Sequence, residues 1–209
     1  MATIDNALST LTRLKSYLEI SGSNKDFLLT MILISVSQYV EKYCNRKFKR
    51  QVFTQEIYSG SGTDKLALKN FPIISGETFT LQRRNTGLND AGDWETLDSE
   101  SYFINYESGV ISSNTKFITG RQNFRVTYTG GFYLPSDTEY QDGTDDDKDL
   151  PYDLELAVLK ICSFEYSKRK SVGVVSERVR DQSVTYAKAI EQDQELRSIL
   201  ARYRKFSYA

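Results

Sequence analysis

The sequence predicts an α+β fold in which a helical bundle carries a large inserted antiparallel β block. Two observations along the 209-residue chain predict it. Near both ends, apolar residues recur every three or four positions, which is the period of a helix with one buried side. Between residues 51 and 135 the period is two, and β-branched and aromatic residues become frequent. We therefore expect the flanking helices to pack together, with the strands as an insertion.

Two helices are expected in the first 50 residues. Apolar residues from Leu8 to Leu18 lie on one side of a short helix, for which Ser9 or Thr10 is a candidate N-cap. A longer pattern from Leu28 to Tyr43 is the strongest helical signal in the chain. The bundle therefore begins with a short helix followed by a long one.

The start of the longer helix carries its own signals. Asn24 is the candidate N-cap, and Asp26 would meet the positive end of the helix dipole. Met31 belongs to the apolar pattern. These signals place the helix start after the turn that contains Gly22.

The β block is divided by turn residues into short alternating segments. Gly, Asn and Asp separate them, and seven such strands fit a small sandwich or a curled sheet. The candidate strands are Val52 to Tyr58, Lys65 to Leu68, Thr78 to Arg84, Trp94 to Leu97, Tyr102 to Asn105, Gly109 to Ser112 and Phe124 to Thr129.

The chain returns to helical patterns after an acidic loop. Residues 136–149 hold seven acids and one base, with no apolar period. The helix over 151–168 is apolar almost all round, which favours burial by its own domain and by a neighbouring subunit. The predicted segments are N-terminal helices in 1–50, the β insertion in 51–135, the acidic loop in 136–149, a core helix with an extended hairpin or loop in 150–192, and a C-terminal helix and tail in 193–209.

The composition argues against several classes of protein. Lys and Arg number 27 against 28 Asp and Glu, so net charge does not direct the chain to nucleic acid or to an anionic membrane. The absence of histidine removes His-dependent triads and the commonest zinc ligand. We assign no catalytic, cofactor-binding or metal residues and expect no enzyme.

Cys44 and Cys162 are expected to be buried thiols. No apolar run is long enough to span a bilayer, so we expect a soluble protein that does not contact a membrane.

Three motifs have ordinary structural explanations. Gly60 to Lys65 lacks the Gly-Lys-Ser/Thr and the following helix of a phosphate loop, which favours a β turn. Asp142 to Asp147 offers oxygen ligands for a cation but does not have the EF-hand spacing, so a solvated acidic loop is the favoured interpretation. Trp94 alternates with Glu95 and Leu97, which favours sheet core over a ligand platform.

The C-terminal quarter is the only basic region. Residues 160–209 carry eleven Lys and Arg against six Asp and Glu. Mixed charge and aromatics suit a partner surface for nucleic acid or for a protein groove, and a solvated face of an amphipathic helix is the alternative. The candidate partner-binding residues are Arg202, Tyr203, Arg204, Lys205, Phe206 and Tyr208.

The order of these segments resembles the head-tail connector (adaptor or head-completion) family of tailed bacteriophages. The resemblance covers nearly the whole chain, and it is carried by the order and spacing of the pieces. They are the short helix in Leu11 to Leu18, the long helix in Leu28 to Phe48, the closing strand Val126-Thr127-Tyr128-Thr129-Gly130-Gly131-Phe132, the helix opened by Leu150-Pro151-Tyr152 and ended by Glu165 to Arg169, and the late extended stretch Val175 to Tyr186.

The resemblance implies a structural protein of the virion, made in the host cytoplasm and located at the neck. Such a subunit would join a closed ring of roughly a dozen copies beneath the portal protein through heterologous contacts. It would extend the channel through which double-stranded DNA passes without sequence-specific contact, and it would hold a downstream neck or tail-completion protein. The family pattern places portal docking after Glu195, and it makes Arg178, Arg180 and Tyr186 candidates for the channel or for a contact between subunits.

Two other functions remain open at this point. One is a different structural position, as a tail-completion protein or another minor neck protein. The other is a carbohydrate-binding module built on the β block, which would need Trp94, Tyr102 and Tyr106 to form a solvent-facing platform.

Overall fold

The computed structural model describes residues 6–84, 94–141, 149–168 and 193–205. In these ranges the chain forms four α-helices and seven strands, so the predicted α+β fold is confirmed. A single turn of 3₁₀-helix covers Ser99–Ser101. The helices are α1 (Leu11–Tyr17), α2 (Asp26–Cys44), α3 (Tyr152–Lys168) and α4 (Gln194–Arg202), and the strands are β1 (Gln51–Gly60), β2 (Lys65–Ala67), β3 (Thr80–Arg84), β4 (Trp94–Thr96), β5 (Tyr102–Asn105), β6 (Val110–Ser113) and β7 (Gly120–Gly130).

The chain divides into two compact units. The helical unit comprises Met1–Asn45 and Tyr133–Arg204, and the β unit comprises Arg46–Phe132 and Lys205–Ala209. The β unit is thus an insertion between α2 and α3, as the change of apolar period predicts.

The two N-terminal helices begin differently. The Oγ1 atom of Thr10 accepts a hydrogen bond of 3.2 Å from the backbone N–H of Arg13, so Thr10 caps α1. The prediction that Asn24 caps α2 is wrong: the N-cap is Lys25, whose side chain makes no capping hydrogen bond. Asp26 lies in the first turn as predicted, where a carboxylate stabilises the positive end of the helix, and it also pairs with Lys15 at 2.7 Å.

The core of the helical unit lies between α2 and α3. The buried side of α2 includes Leu29, Leu33 and Val36, and the buried side of α3 includes Leu154, Val158 and Ile161. α4 adds Leu196, Ile199 and Leu200 to this core. Because these residues follow the helical period, each helix has one continuous buried side.

The β unit is built from two antiparallel sheets. The four-stranded sheet has the order β1-β7-β3-β4, and the three-stranded sheet has the order β2-β6-β5. All seven candidate strands are confirmed. Both sheets contribute to one apolar cluster, which includes Leu81 and Phe124 from the first sheet and Leu66 and Ile111 from the second. The arrangement is the small sandwich that seven short strands favoured.

The chain enters and leaves the β unit at one place. The N–H of Phe132 donates to the carbonyl of Phe48 at 2.7 Å, and the N–H of Arg50 donates to the carbonyl of Phe132 at 2.7 Å. Gly131 lies between them with a φ of +100°, and a Cβ there would stand 2.7 Å from the carbonyl oxygens of Phe48 and Lys49. Only glycine fits this close approach of two backbones.

Candidate interaction surfaces

The outer side of α2 exposes two large apolar side chains. Phe27 is 80% exposed and Met31, one turn later, is 55% exposed. We call this pair the α2 patch. Ser35, Gln38 and Lys42 continue the same exposed stripe toward the end of the helix. Met31 therefore does not belong to the core side of α2, although its position in the apolar pattern suggested it.

The outer side of α3 exposes a second apolar stripe. Tyr152 is 53% exposed, Leu156 41% and Phe164 36%, and their spacing of four and eight residues puts them on one side of the helix. We call these three residues the α3 patch. The apolar pattern predicted that α3 is apolar nearly all round, and the structure divides it into a wide buried side and this exposed stripe. Burial of the stripe by a neighbouring subunit stays a prediction.

A groove of about 690 Å³ lies beside Phe164 in the helical unit. Its walls include Tyr17 of α1, Lys160 of α3 and Glu195 of α4. The ammonium group of Lys160 donates a hydrogen bond of 2.8 Å to Glu195, which raises the pKa of Lys160 above its ordinary value. The groove therefore combines apolar walls with a paired charge.

A carboxylate at the start of α3 holds the end of α4. Arg202 contacts Oδ2 of Asp153 at 3.0 Å, and the hydroxyl of Tyr203 donates to Oδ1 of the same residue at 2.5 Å. Two of the candidate partner-binding residues are thus used within the helical unit. Arg202 nevertheless remains exposed, and Tyr203 is half-buried.

The next two candidate residues contact tyrosine rings. The guanidinium carbon of Arg204 lies 5.7 Å from the centre of the Tyr43 ring, and the Nζ atom of Lys205 lies 5.6 Å from the centre of the Tyr58 ring. Burial lowers the pKa of Lys205, and the nearby Lys69 lowers it further. The remaining candidates, Phe206, Tyr208, Arg178, Arg180 and Tyr186, lie outside the described residues.

A buried polar cluster joins β1, β7 and the loop after β2 in the β unit. The hydroxyls of Tyr58 and Tyr128 both donate to Oε2 of Glu56, the second at 2.8 Å. Backbone N–H groups of Lys69 and Asn70 donate to the two tyrosine hydroxyls at 3.0 and 3.2 Å. Burial and neighbouring negative charge raise the pKa of both tyrosines. The cluster satisfies its own polar groups, which is the pattern of a structural network.

Trp94 is part of an arginine stack on the outer side of the four-stranded sheet. Its ring centre lies 4.7 Å from the guanidinium carbon of Arg84 and 4.5 Å from that of Arg125. Arg84 and Trp94 are direct cross-strand partners, and they lie on the side opposite Leu81, which is in the core. The expectation that Trp94 belongs to the sheet core is therefore wrong.

The aromatic residues of the carbohydrate alternative do not share one surface. Trp94 faces away from the core, whereas Tyr102 packs against the core and its ring lies 5.9 Å from that of Phe79. Tyr106 is 42% exposed. Because Trp94 and Tyr102 belong to different sheets and different sides, the flat platform that a sugar ring needs is not formed by these three residues.

The remaining candidate sites of the sequence, which are the turn after β1, the two cysteines and the acidic loop, have structural roles or lie outside the described residues. In the turn after β1, Ser61 and Thr63 hydrogen-bond each other at 2.9 Å, as expected of a turn. Cys44 and Cys162 are both buried, as predicted, and burial raises the pKa of the Cys162 thiol to about 12. The segment from Asp142 to Asp147 lies outside the described residues, and among the described ones no group of acids and cysteines is arranged to hold a metal ion. No described helix has the length and apolarity needed to cross a membrane.

Comparison with solved structures supports a known fold. A chain in the neck of an empty gene transfer agent particle, computed with C6 symmetry, aligns with a TM-score of 0.54 and 12% identity over 100% of this chain and 95% of that chain. A chain in the virion of a native gene transfer agent particle aligns with a TM-score of 0.52 and 13% identity over 97% of this chain and 92% of that chain. A chain in the neck of a native gene transfer agent particle, computed with C12 symmetry, aligns with a TM-score of 0.50 and 14% identity over 100% of this chain and 94% of that chain. At these identities the likeness is one of fold.

Comparison with protein families gives the stronger assignment. No curated protein matches the sequence. The model of the head completion protein family matches residues 7–206, which is almost the whole chain and includes both units. The resemblance to head-completion connectors that the order of helices and strands indicated is confirmed, and the chain belongs to the head completion protein family.

Proposed function

We propose that the chain is one subunit of a closed ring at the neck of a tailed phage-like particle. The ring, of about a dozen copies, lies beneath the portal, extends the DNA channel and holds the next neck or tail-completion protein. The subunit works through its surfaces and not by catalysis. The match of the head completion family over residues 7–206 is the observation that carries this proposal.

The fold supports the same location. The similar chains come from a virion and from particle necks, and the necks were computed with C6 and C12 symmetry. A ring of identical subunits needs two different contact surfaces on each subunit. The α2 patch and the α3 patch supply exposed apolar residues for such contacts.

The C-terminal tail is the proposed portal-docking segment. Asp153 fixes Arg202 and Tyr203 at the end of α4, so the chain leaves the helical unit from a defined point. Arg202 and Arg204 are exposed there, and the sequence continues with Phe206 and Tyr208. Arginine and aromatic side chains are the residue types that contribute most to protein interfaces, which suits docking in a groove of the portal.

The late stretch is the proposed channel or inter-subunit segment. Arg178, Arg180 and Tyr186 belong to it. Arginines facing a DNA channel would contact phosphates without reading sequence, and such contacts weaken as salt rises. Substituting both arginines with Gln should therefore change the salt dependence of DNA retention in assembled particles and leave ring formation intact.

A short truncation tests the docking proposal. Removal of everything after Gln194 would delete α4, whose Leu196, Ile199 and Leu200 are buried in the helical unit, so it would disturb the fold. A chain that ends at Lys205 keeps this core. We expect the full chain to bind the portal in a native mass measurement and the chain ending at Lys205 to bind at least tenfold more weakly.

Two outcomes would contradict the proposal. If the full chain does not bind the portal but is recovered with tail proteins, the tail-completion alternative replaces the proposed ring beneath the portal. If the truncated chain binds the portal as well as the full chain does, the tail is not the docking segment. Circular dichroism of both chains is the control for folding.

A further inference from the structure

The α2 patch and the α3 patch lie on opposite sides of the same pair of helices. α2 and α3 pack together through their buried sides, represented by Leu33 and Val158. On a helix with 3.6 residues per turn, Met31 lies about 160° round α2 from Leu33 and Phe27 about 120°, and Leu156 lies about 160° round α3 from Val158. The two exposed stripes therefore point away from each other within the helical unit.

Charges beside both patches are already paired within the chain. Asp26, next to Phe27, pairs with Lys15 at 2.7 Å. On α3, Lys160 pairs with Glu195 at 2.8 Å, and Asp153 pairs with Arg202 at 3.0 Å. A partner that covers either patch with apolar side chains would not leave these charges buried alone, which is the main cost of burying charged groups.

Two unlike patches on opposite sides favour a second copy of this chain as the occupant. A patch that paired with itself would close a twofold dimer and leave the other patch exposed. If the α2 patch of one copy meets the α3 patch of the next, every copy covers both patches and the contact can repeat around a ring. Phe27 and Met31 are large enough to fill the gaps between Tyr152, Leu156 and Phe164, since aromatic and Met side chains adapt well to apolar surfaces.

We infer that the α2 patch of one copy packs on the α3 patch of the next copy in the ring. This inference rests on the proposed function, because it assigns the contact that closes the proposed ring. It predicts a head-to-tail contact made by the helical unit.

A pair of complementary variants tests the contact. Met31→Glu places a charge in the α2 patch and leaves the α3 patch intact. Leu156→Glu places a charge in the α3 patch and leaves the α2 patch intact. Each variant alone should be monomeric at concentrations where the wild type forms rings, because neither can bind another copy of itself. An equimolar mixture should give a one-to-one dimer and nothing larger, because the one intact contact cannot repeat. Native mass spectrometry distinguishes these species.

The control places the same charge on another exposed apolar residue. Val52 of β1 is 63% exposed and lies in the β unit. Val52→Glu should form rings as the wild type does. Circular dichroism checks that all three variants are folded.

A cross-linking experiment tests the same contact by proximity. Both natural cysteines are buried, so engineered thiols at the surface react selectively. The double variant Phe27→Cys with Leu156→Cys, treated with a short bismaleimide, should give a ladder of covalent oligomers up to the ring size. The pair Phe27→Cys with Glu107→Cys, whose second site is exposed in the β unit, should give no covalent oligomers.

The outcomes separate this inference from the proposed function. Rings that persist in both Glu variants would overturn the inference and leave the ring proposal standing. The same holds if the double variant Phe27→Cys with Leu156→Cys forms rings in which neighbouring copies do not cross-link. A wild-type chain that forms no ring, alone or on the portal, would overturn both.

Discussion

The hydroxyl of Tyr203 donates a hydrogen bond of 2.5 Å to Asp153, fifty residues earlier in the chain. Arg202 binds the other oxygen of the same carboxylate, so one side chain at the start of α3 fixes the end of α4. The position from which the C-terminal tail leaves the helical unit therefore depends on Asp153.

Replacement of Asp153 should loosen the end of α4. Asp153→Asn removes the charge that Arg202 and Tyr203 share, and we expect a loss of about 1 kcal/mol, because the carboxylate is partly exposed to solvent. Urea unfolding measures the loss, and limited proteolysis after Arg202 or Arg204 should become faster. Tyr203→Phe should give a similar loss, and the double variant should lose less than the sum.

The buried pair Arg13–Glu155 should contribute more to stability. Glu155 is almost fully buried, and it accepts hydrogen bonds of 2.6 Å from both Arg13 and the hydroxyl of Ser9. Glu155→Ala leaves the Arg13 charge without its partner in a partly buried place, so we expect a loss of about 3 kcal/mol in urea unfolding. The exposed pair of Lys160 with Glu195 supplies the control, since Glu195→Ala should change the free energy of unfolding by less than about 1 kcal/mol.

Two glycines with positive φ separate backbone strain from steric clash. Gly76 has a φ of +84° and no atom within 4 Å of a Cβ built on it, whereas a Cβ on Gly131 would stand 2.7 Å from the carbonyl oxygens of Phe48 and Lys49. We expect Gly76→Ala to cost about 1 kcal/mol and Gly131→Ala at least about 3 kcal/mol. Equal losses in thermal unfolding would show that the close approach at Gly131 relaxes easily.

The stability of the β unit should fall at alkaline pH. The folded state raises the pKa of Tyr58 and Tyr128 above the ordinary value of 10.0, so above about pH 10 the unfolded chain loses protons that the folded chain keeps. Stability is therefore full below pH 10 and declines as pH rises above it, by at most about 1.4 kcal/mol per pH unit for each tyrosine.

A phenylalanine substitution isolates this effect. Tyr128→Phe should lower the free energy of unfolding at pH 8, because Glu56 loses a hydrogen-bond donor, and it should also flatten the decline above pH 10. Tyr106→Phe removes a more exposed hydroxyl and serves as the control. An unchanged slope in Tyr128→Phe would mean that other groups cause the alkaline loss.

The sequence predicted the elements well where a local pattern determines them. The period of apolar residues located the four helices and all seven strands, because burial on one side follows directly from the period. The N-cap of α2 was missed because Asn24 has the right chemistry but not the right position: the helix starts one residue later than that cap requires.

The interaction surfaces could not be predicted from the sequence, because they depend on tertiary contacts and local patterns do not contain these. Met31 lies in an apolar pattern, and only the packing of α2 against α3 shows that it is on the outer side. Trp94 alternates as a core residue would, yet Arg84 of β3 and Arg125 of β7 cover its ring on the outer side. One signal was present in the sequence: Phe27 and Met31 are spaced by four and are out of phase with the stripe that begins Leu29, Leu33 and Val36.

The most direct test of the account is the mass of the full-length chain measured alone and mixed with its portal. The account predicts a complex of the portal with a closed ring of this chain, about a dozen copies, assembled through one repeated contact. A chain that remains monomeric and does not bind the portal in either sample would contradict the proposal that this head completion protein forms the ring beneath it.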